Sequence, residues 1–165
     1  MIVIEHASSE KQIELVRALF REYARSLGTD LGYQNFEQEL RELPGTYTPP
    51  DGRVLLATDF VEGQRKVAGC GALRPVERGV CEMKRLFVRA EFRGRGIGRA
   101  LAENLIRAAV ETGYGAMQLD TLPTMHEAHQ LYRELGFREI APYYESPVAG
   151  TRFLELPLAS ARAHL

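Results

Sequence analysis

The 165-residue sequence predicts one mixed α/β domain of the α+β class, a central and mostly antiparallel mixed sheet with helices on both faces. Three observations predict it. Two segments with apolar residues at helical spacing precede the main run of strands. Three consecutive strand segments joined by short polar turns then read as an antiparallel meander. Helix and strand alternate after that, with two strand segments closing the chain. The length suits one domain, residues 1–165, and one sizeable core.

Ile2 to Glu5 is a short first strand. Ser9 with Gln12 forms a capping box, and Ile13, Val16, Leu19, Phe20, Tyr23 and Leu27 recur on one helical face until Gly28 stops the helix. Asn35 to Leu43 is a shorter amphipathic helix, halted by Pro44. Strands follow at Arg53–Asp59, Lys66–Arg74 and Gly79–Val88. A helix is expected from Gly98 to Thr112, then a strand at Ala116–Asp120. Thr124 with Glu127 makes a second capping box, opening a helix that runs through Ala128, Leu131, Tyr132 and Leu135 to Gly136. Phe137–Ile140 and Arg152–Leu156 close the sheet around the loop "APYYESPVAG".

Composition narrows the function classes. A hydrophobic content of 45% with 26% charged residues is that of an ordinary globular protein. A net charge of −1 supplies no general field for nucleic acid or an anionic membrane, so neither is expected as a partner. Cys70 and Cys81 lie in apolar strands without a disulfide or metal spacing. The first ten residues lack a basic region and a sufficient apolar run for a leader, and a cytoplasmic protein is expected. No metal is expected either, because His126 and His129, spaced for one helix face, lack further ligands and read as solvent-facing.

One stretch asks for a ligand. Arg93 to Arg99 holds three arginines and three glycines in seven residues, after a strand and at the mouth of a helix. A helix N-terminus exposes unpaired N–H groups and the positive end of its dipole. Glycines let a phosphate approach the amides, and arginines add charge-assisted bonds. A solvated loop with incidental arginines is the bland alternative. A Walker loop is excluded, because no Lys-Ser or Lys-Thr pair follows the glycines. A dinucleotide motif, with Asp120 as the ribose acid, fails where its third glycine falls on Arg99.

Arg93-Gly94-Arg95-Gly96-Ile97-Gly98 resembles the pyrophosphate motif of the GNAT superfamily, the acyl-CoA-dependent N-acetyltransferases. The preceding strand "EMKRLFV" looks like that family's fourth strand, and "LYRELGF" is similar to its late tyrosine signature. The resemblance implies a sheet splayed between the fourth and fifth strands, with acetyl-CoA in the gap. Leu86, Phe87 and Val88 would then face the pantetheine arm, and the Arg93–Arg99 loop would hold the pyrophosphate. Many members carry an asparagine seven residues before the late tyrosine. Here Met125 takes that place and offers an apolar wall.

Acyl transfer to an amine needs a proton removed from the ammonium and one supplied to the leaving thiolate. Tyr132 is the expected donor, against the alternative of a core tyrosine on a helix face. Glu82 is the candidate base, against the alternative of an ion pair with Lys84 or an arginine. Strand alternation places Glu82, Lys84 and Leu86 together, opposite Cys81, Met83 and Arg85. By family analogy the acceptor enters beside Tyr33, Tyr143, Tyr144 and Glu145, an aromatic and acidic mouth for a small cationic amine. The leading reading is an acetyl-CoA-dependent N-acetyltransferase, monomeric or homodimeric. The alternative is an acyl-CoA-binding or sensing domain without turnover.

Overall fold

In the computed structural model, which describes residues 1–161, the first capping box closes as its spacing requires. Gln12 N donates to Ser9 Oγ at 3.1 Å, and Gln12 Oε1 accepts from Ser9 N at 3.1 Å. Helix α1 (Glu10–Leu27) buries Ile13, Val16, Leu19 and Phe20 and ends on Gly28 in the left-handed conformation. A 3-10 turn at Leu31–Gln34 leads into the short α2 (Phe36–Glu42).

Seven strands form one sheet, β1 (Ile2–His6), β2 (Arg53–Val61), β3 (Gln64–Glu77), β4 (Val80–Val88), β5 (Ala116–Thr121), β6 (Arg138–Ile140) and β7 (Arg152–Pro157). Their order is β1-β2-β3-β4-β5-β7-β6, antiparallel except for β4 beside β5. The meander's strands run longer than their apolar stretches. Glu62 and Gly63 both take positive φ, the tight turn that matches strand twist and lets β2 and β3 pair up to it. The last strand slots between β5 and β6, leaving β6 at the edge.

Helices α3 (Ile97–Thr112) and α4 (His126–Leu135) complete the fold with a final turn, α5 (Leu158–Ala161). One core layer joins Leu101 and Leu105 of α3 to Ala57, Leu73 and Met83 of the sheet, and Leu158 seals it. The other joins Val16, Leu19 and Phe20 of α1 to Val54, Leu56, Cys70 and Ala72. Strands β2 and β3 thus feed alternate residues to the two faces.

Three expectations need correction. Strand β4 does not alternate throughout. Lys84 pairs with Ala72 and Phe87 with Cys70, so Arg85 and Leu86 together oppose the single Gly71, and Arg85 takes a φ of 59°. This bulge turns Arg85 to the side of Lys84 and Leu86 to the side of Met83. Close approach at the same ladder fixes Gly69, where a Cβ would stand 2.3 Å from the Phe87 carbonyl oxygen.

The second capping box does not form, because α4 begins at His126 with Met125 in the cap position and no side-chain cap. His129 is buried rather than solvent-facing. Its Nε2 donates to the Leu122 carbonyl at 2.9 Å, which draws the ring inward, while His126 stays exposed.

Both cysteines are free and fully buried. Burial raises the Cys81 thiol to a pKa of about 12 and pushes Cys70 up as well. An unfolded thiol titrates lower, so the unfolded chain loses its protons first as the pH rises. Stability is complete below the unfolded value and falls towards the folded one. In urea unfolding, Cys81→Ala is expected to remove about 1.4 kcal/mol per pH unit from that fall between roughly pH 9 and 11.

Candidate active site

Parallel pairing between β4 and β5 covers three positions, Val80–Glu82 against Ala116–Gln118. Beyond them the strands part, and the rest of β4 presents an edge without a β5 partner. The cleft along that edge, about 710 Å³, is walled by Leu86, Phe87 and Val88, by Tyr23 and Leu27 of α1, and by Met125, Ala128 and Leu131. Its far end is the glycine loop, to which Arg93, Gly94, Gly96, Ile97 and Gly98 contribute.

Gly94 and Gly96 both take a φ of 77°, a left-handed backbone that other residues rarely adopt. This curl brings the chain into α3 with Gly96 as its N-cap and no side-chain cap. The amides of the first turn therefore have no acceptor within the helix, and the first bond runs from Ala100 N to Gly96 O. Open space lies over Gly94 and Gly96, where an added Cβ meets nothing within 4 Å.

The three arginines of the loop divide. Arg93 lines the cleft and donates from Nε to the Val88 carbonyl at 3.1 Å. Arg95 turns away to Asp59 at 2.5 Å and lies over the Phe92 ring. Arg99 pairs with Glu134 and, at 3.7 Å, with Glu103.

A smaller cavity of about 30 Å³ adjoins the cleft at Tyr23, Leu27, Leu86 and Met125. Tyr132, Tyr33, Gln34, Lys84, Arg85, Asp120 and Thr121 also line it. Tyr132 and Met125 thus face the same space, as a separation of two helical turns requires. The Tyr132 ring packs against Phe137 at 5.6 Å, and its hydroxyl makes no hydrogen bond among the described residues. Burial pushes its pKa well up, so it stays protonated. The Thr121 hydroxyl is buried there, also without a partner among the described residues.

Glu82 lies one level below the parting of the strands and does not line either space. It is 2% exposed. Nε and Nη2 of Arg74 reach its Oε1 at 2.8 and 2.7 Å, and Tyr143 donates to its Oε2 at 2.6 Å. Tyr144 donates in the same way to Asp120 Oδ2 at 2.6 Å. Both tyrosine rings pack edge-on against Phe153, 5.1 Å away. Of the four residues expected at an acceptor mouth, Tyr33 lines the small cavity and Tyr143 and Tyr144 turn inward onto carboxylates. Glu145 is exposed and lines neither space.

Sequence reasoning assigned no site role to Gln34, Lys84 or Arg85, and Asp120 entered only as the ribose acid of a rejected dinucleotide motif. Lys84 lies 3.5 Å from Asp120, and Arg85 makes a two-point pair with Glu39, both bonds 2.9 Å. Burial lowers the Lys84 pKa against the opposing pull of Glu82 and Asp120. Burial would raise Asp120, but Lys84, the Tyr144 hydroxyl and Arg85 outweigh it and leave it lowered. The available signal was two adjacent cations beside Glu82 in a strand whose other residues are apolar.

With the cleft, the helix end and the buried tyrosine in place, comparison with known proteins is direct. Residues 13–137 match the family described as Acetyltransferase (GNAT) family. The chain belongs to the GNAT family and is an acyltransferase enzyme. It is 35% identical over 159 residues to an uncharacterised N-acetyltransferase of Schizosaccharomyces pombe, covering 96% of each chain. A Staphylococcus aureus Mu50 acetyltransferase of the GNAT family superposes with a TM-score of 0.78, at 22% identity and coverage of 96% and 99%. A Salmonella typhimurium protein whose structure includes its cofactor acetyl-CoA superposes with a TM-score of 0.64, at 19% identity and coverage of 95% and 94%. These structural likenesses establish the GNAT fold, including the expected parting of the sheet between β4 and β5. Among the described residues, no helix is long and apolar enough to cross a membrane, and no group of three ligating side chains is placed to hold a metal.

The tyrosines separate by their partners. Tyr143→Phe removes a donor from a buried carboxylate and is expected to cost about 1.5–3 kcal/mol. Tyr132→Phe removes a hydroxyl that has no partner, and its cost should stay within about 0.5 kcal/mol. Urea unfolding of the two variants measures the difference.

Proposed function

We propose that the protein moves an acetyl group from acetyl-CoA directly to the primary amine of a small acceptor. One observation carries the reading. The cleft runs from an uncapped helix N-terminus suited to a pyrophosphate, along the free edge of β4, to a cavity bordered by a buried, protonated tyrosine whose hydroxyl has no partner among the described residues. Acetyl-CoA supplies the activated acyl thioester.

The residues divide the work as follows. First-turn amides of α3, with Arg93, bind the pyrophosphate. Leu86, Phe87, Val88 and Met125 shape the path of the pantetheine arm. Tyr132 donates its phenolic proton to the sulfur as the C–S bond breaks and the C–N bond forms, and the second proton shed by the acylated nitrogen restores the phenol through water. Asp120 borders the cavity, and Glu82 does not. The base role expected of Glu82 therefore passes to Asp120, which holds the acceptor ammonium and passes its proton through water to solvent. Glu82 orients Tyr143 and neutralises Arg74. Arg95 and Arg99 brace the loop through Asp59 and Glu134 rather than touching the ligand.

Gly98 offers a clean test of the cleft. Its φ is not in the left-handed range, and an added Cβ would meet only Val88 Cγ2, at an ordinary 3.7 Å. Gly98→Val is therefore expected to fold normally and to weaken CoA binding at least about tenfold, roughly 1.4 kcal/mol, by filling the space of the ligand. Gly96→Val would confound this by straining a left-handed residue. Calorimetry showing unchanged CoA affinity in folded Gly98→Val would remove the cleft from consideration.

Tyr132→Phe is expected to lower kcat about 10- to 1000-fold, roughly 1.4–4 kcal/mol of transition-state stabilisation, with CoA affinity intact. Asp120→Asn should lower kcat as well, with partial recovery at alkaline pH where more acceptor is already deprotonated. Glu82→Gln should act mainly on stability. Steady-state rates across pH, beside unfolding curves, test this division.

A further inference from the structure

We infer that the acceptor is a small amino carboxylate, and that Lys84 and Arg85 recognise its carboxylate in the place now taken by the Gln34 amide oxygen. This rests on the amine-acceptor reading given above and specifies its substrate class. Lys84 Nζ and Arg85 Nη1 converge on one neutral atom, Gln34 Oε1, at 3.0 and 2.9 Å. Their side chains are only 5% and 2% exposed.

Arg85 keeps Glu39 and Lys84 keeps the more distant Asp120, but the donors that both cations turn to Gln34 meet only a neutral oxygen, where an anionic one would be held more tightly. Glu39 satisfies Nε and Nη2 of Arg85, which leaves Nη1 aimed at Gln34. Of the three ammonium donors of Lys84, one makes a short bond, to Gln34, and Asp120 stands farther off at 3.5 Å. Burial lowers the Lys84 pKa, which a bound carboxylate would oppose.

The acids of the site are better satisfied than its cations. A tyrosine hydroxyl caps each of Glu82 and Asp120 at 2.6 Å. The mouth expected to attract a plain cation therefore offers one carboxylate, Asp120, beside two cations that each turn a donor to a neutral oxygen. The lining side chains of the small cavity carry Lys84 and Arg85 against Asp120 alone.

Gln34 is suited to give way. It ends a 3-10 turn between α1 and α2, outside the sheet, and its own amide nitrogen makes only longer bonds, 3.2 Å to Tyr33 and 3.5 Å to Asp120. At about 30 Å³ the cavity holds little more than a water molecule while Gln34 occupies it, so an acceptor must displace this side chain. The unpartnered Thr121 hydroxyl then supplies a further donor. A carboxylate at Lys84 and Arg85 leaves the ammonium of the same molecule facing Asp120.

The test uses the whole protein saturated with CoA or acetyl-CoA. The proteinogenic L-amino acids, β-alanine and 4-aminobutyrate are each compared with the amide that lacks the carboxylate charge. Thermal shift reads binding and thiol release reads transfer. At least one amino carboxylate should raise the melting temperature and show kcat/KM about 100-fold or more above its amide, since a site built for a charged partner rejects the uncharged analogue.

Gln34→Glu, in a short turn outside the sheet, places a tethered carboxylate on the two cations. It should abolish the response of melting temperature and of thiol release to amino carboxylates. Lys84→Met should shrink the preference over amides to under about tenfold by raising KM for the amino carboxylate, with KM for acetyl-CoA unchanged. Amides equal to acids, no binding by any carboxylate, or an undiminished response in Gln34→Glu overturns the inference. Amino carboxylates that bind in a Gln34-sensitive way without thiol release would leave the anion site standing and remove the transfer reading instead.

Discussion

Strands β4 and β5 share three pairs of residues and then separate, and charged residues stand just beyond the point of separation. Above Glu82 and Gln118, β4 carries Lys84 and Arg85 and β5 carries Asp120. The bulge at Arg85 matters as much as the charges. Two β4 residues against one on β3 increase the local twist and turn the upper part of β4 away from a straight ladder. The free edge of β4, the cleft along it and the small cavity at its base all follow from that parting. Helices α1 and α4 then need only to roof the gap, which they do with Tyr23, Leu27, Ala128 and Leu131.

A fork lined by buried charge is costly to hold open, since each ion loses its hydration. The protein meets this cost by short pairings between different elements. Glu39 with Arg85, Arg74 with Glu82, and Tyr144 with Asp120 each satisfy a buried group from a different element. These bonds tie α2, β3 and the β6–β7 loop to β4 and β5. The network thereby fixes where side chains converge at the fork and leaves few polar atoms unspent. Among those few, the Tyr132 and Thr121 hydroxyls and the Gln34-facing ends of Lys84 and Arg85 all face the same cavity.

The glycine loop works by different means. Its backbone, not its charge, forms the concave end of the cleft. Left-handed turns at Gly94 and Gly96 aim the first amides of α3 outward, and two of the three arginines are engaged elsewhere. Arg95 ties the loop to Asp59 on β2, and Arg99 ties α3 to Glu134 on α4. Charges that suggest ligand contact in one dimension here anchor the loop to its neighbours.

The sequence by itself determined the order of elements, the first capping box, the meander, the glycine turn into α3 and the helix carrying Tyr132. All are local, set by spacing, capping and backbone preference within a few residues. Tertiary structure decided what depends on partners distant in sequence. Glu82 meets Arg74 and Tyr143 from 8 and 61 residues away, and Arg85 meets Glu39 and Gln34 from 46 and 51 residues away. The bulge that moves Arg85 across the sheet has no signature in a strand of regular alternation, because it is a property of the β3–β4 register. His129 is buried for a similar reason, since the carbonyl of Leu122 that holds it becomes available only where β5 ends. Spacing along the chain places side chains on a face, and pairing between chain segments decides which face and which partner.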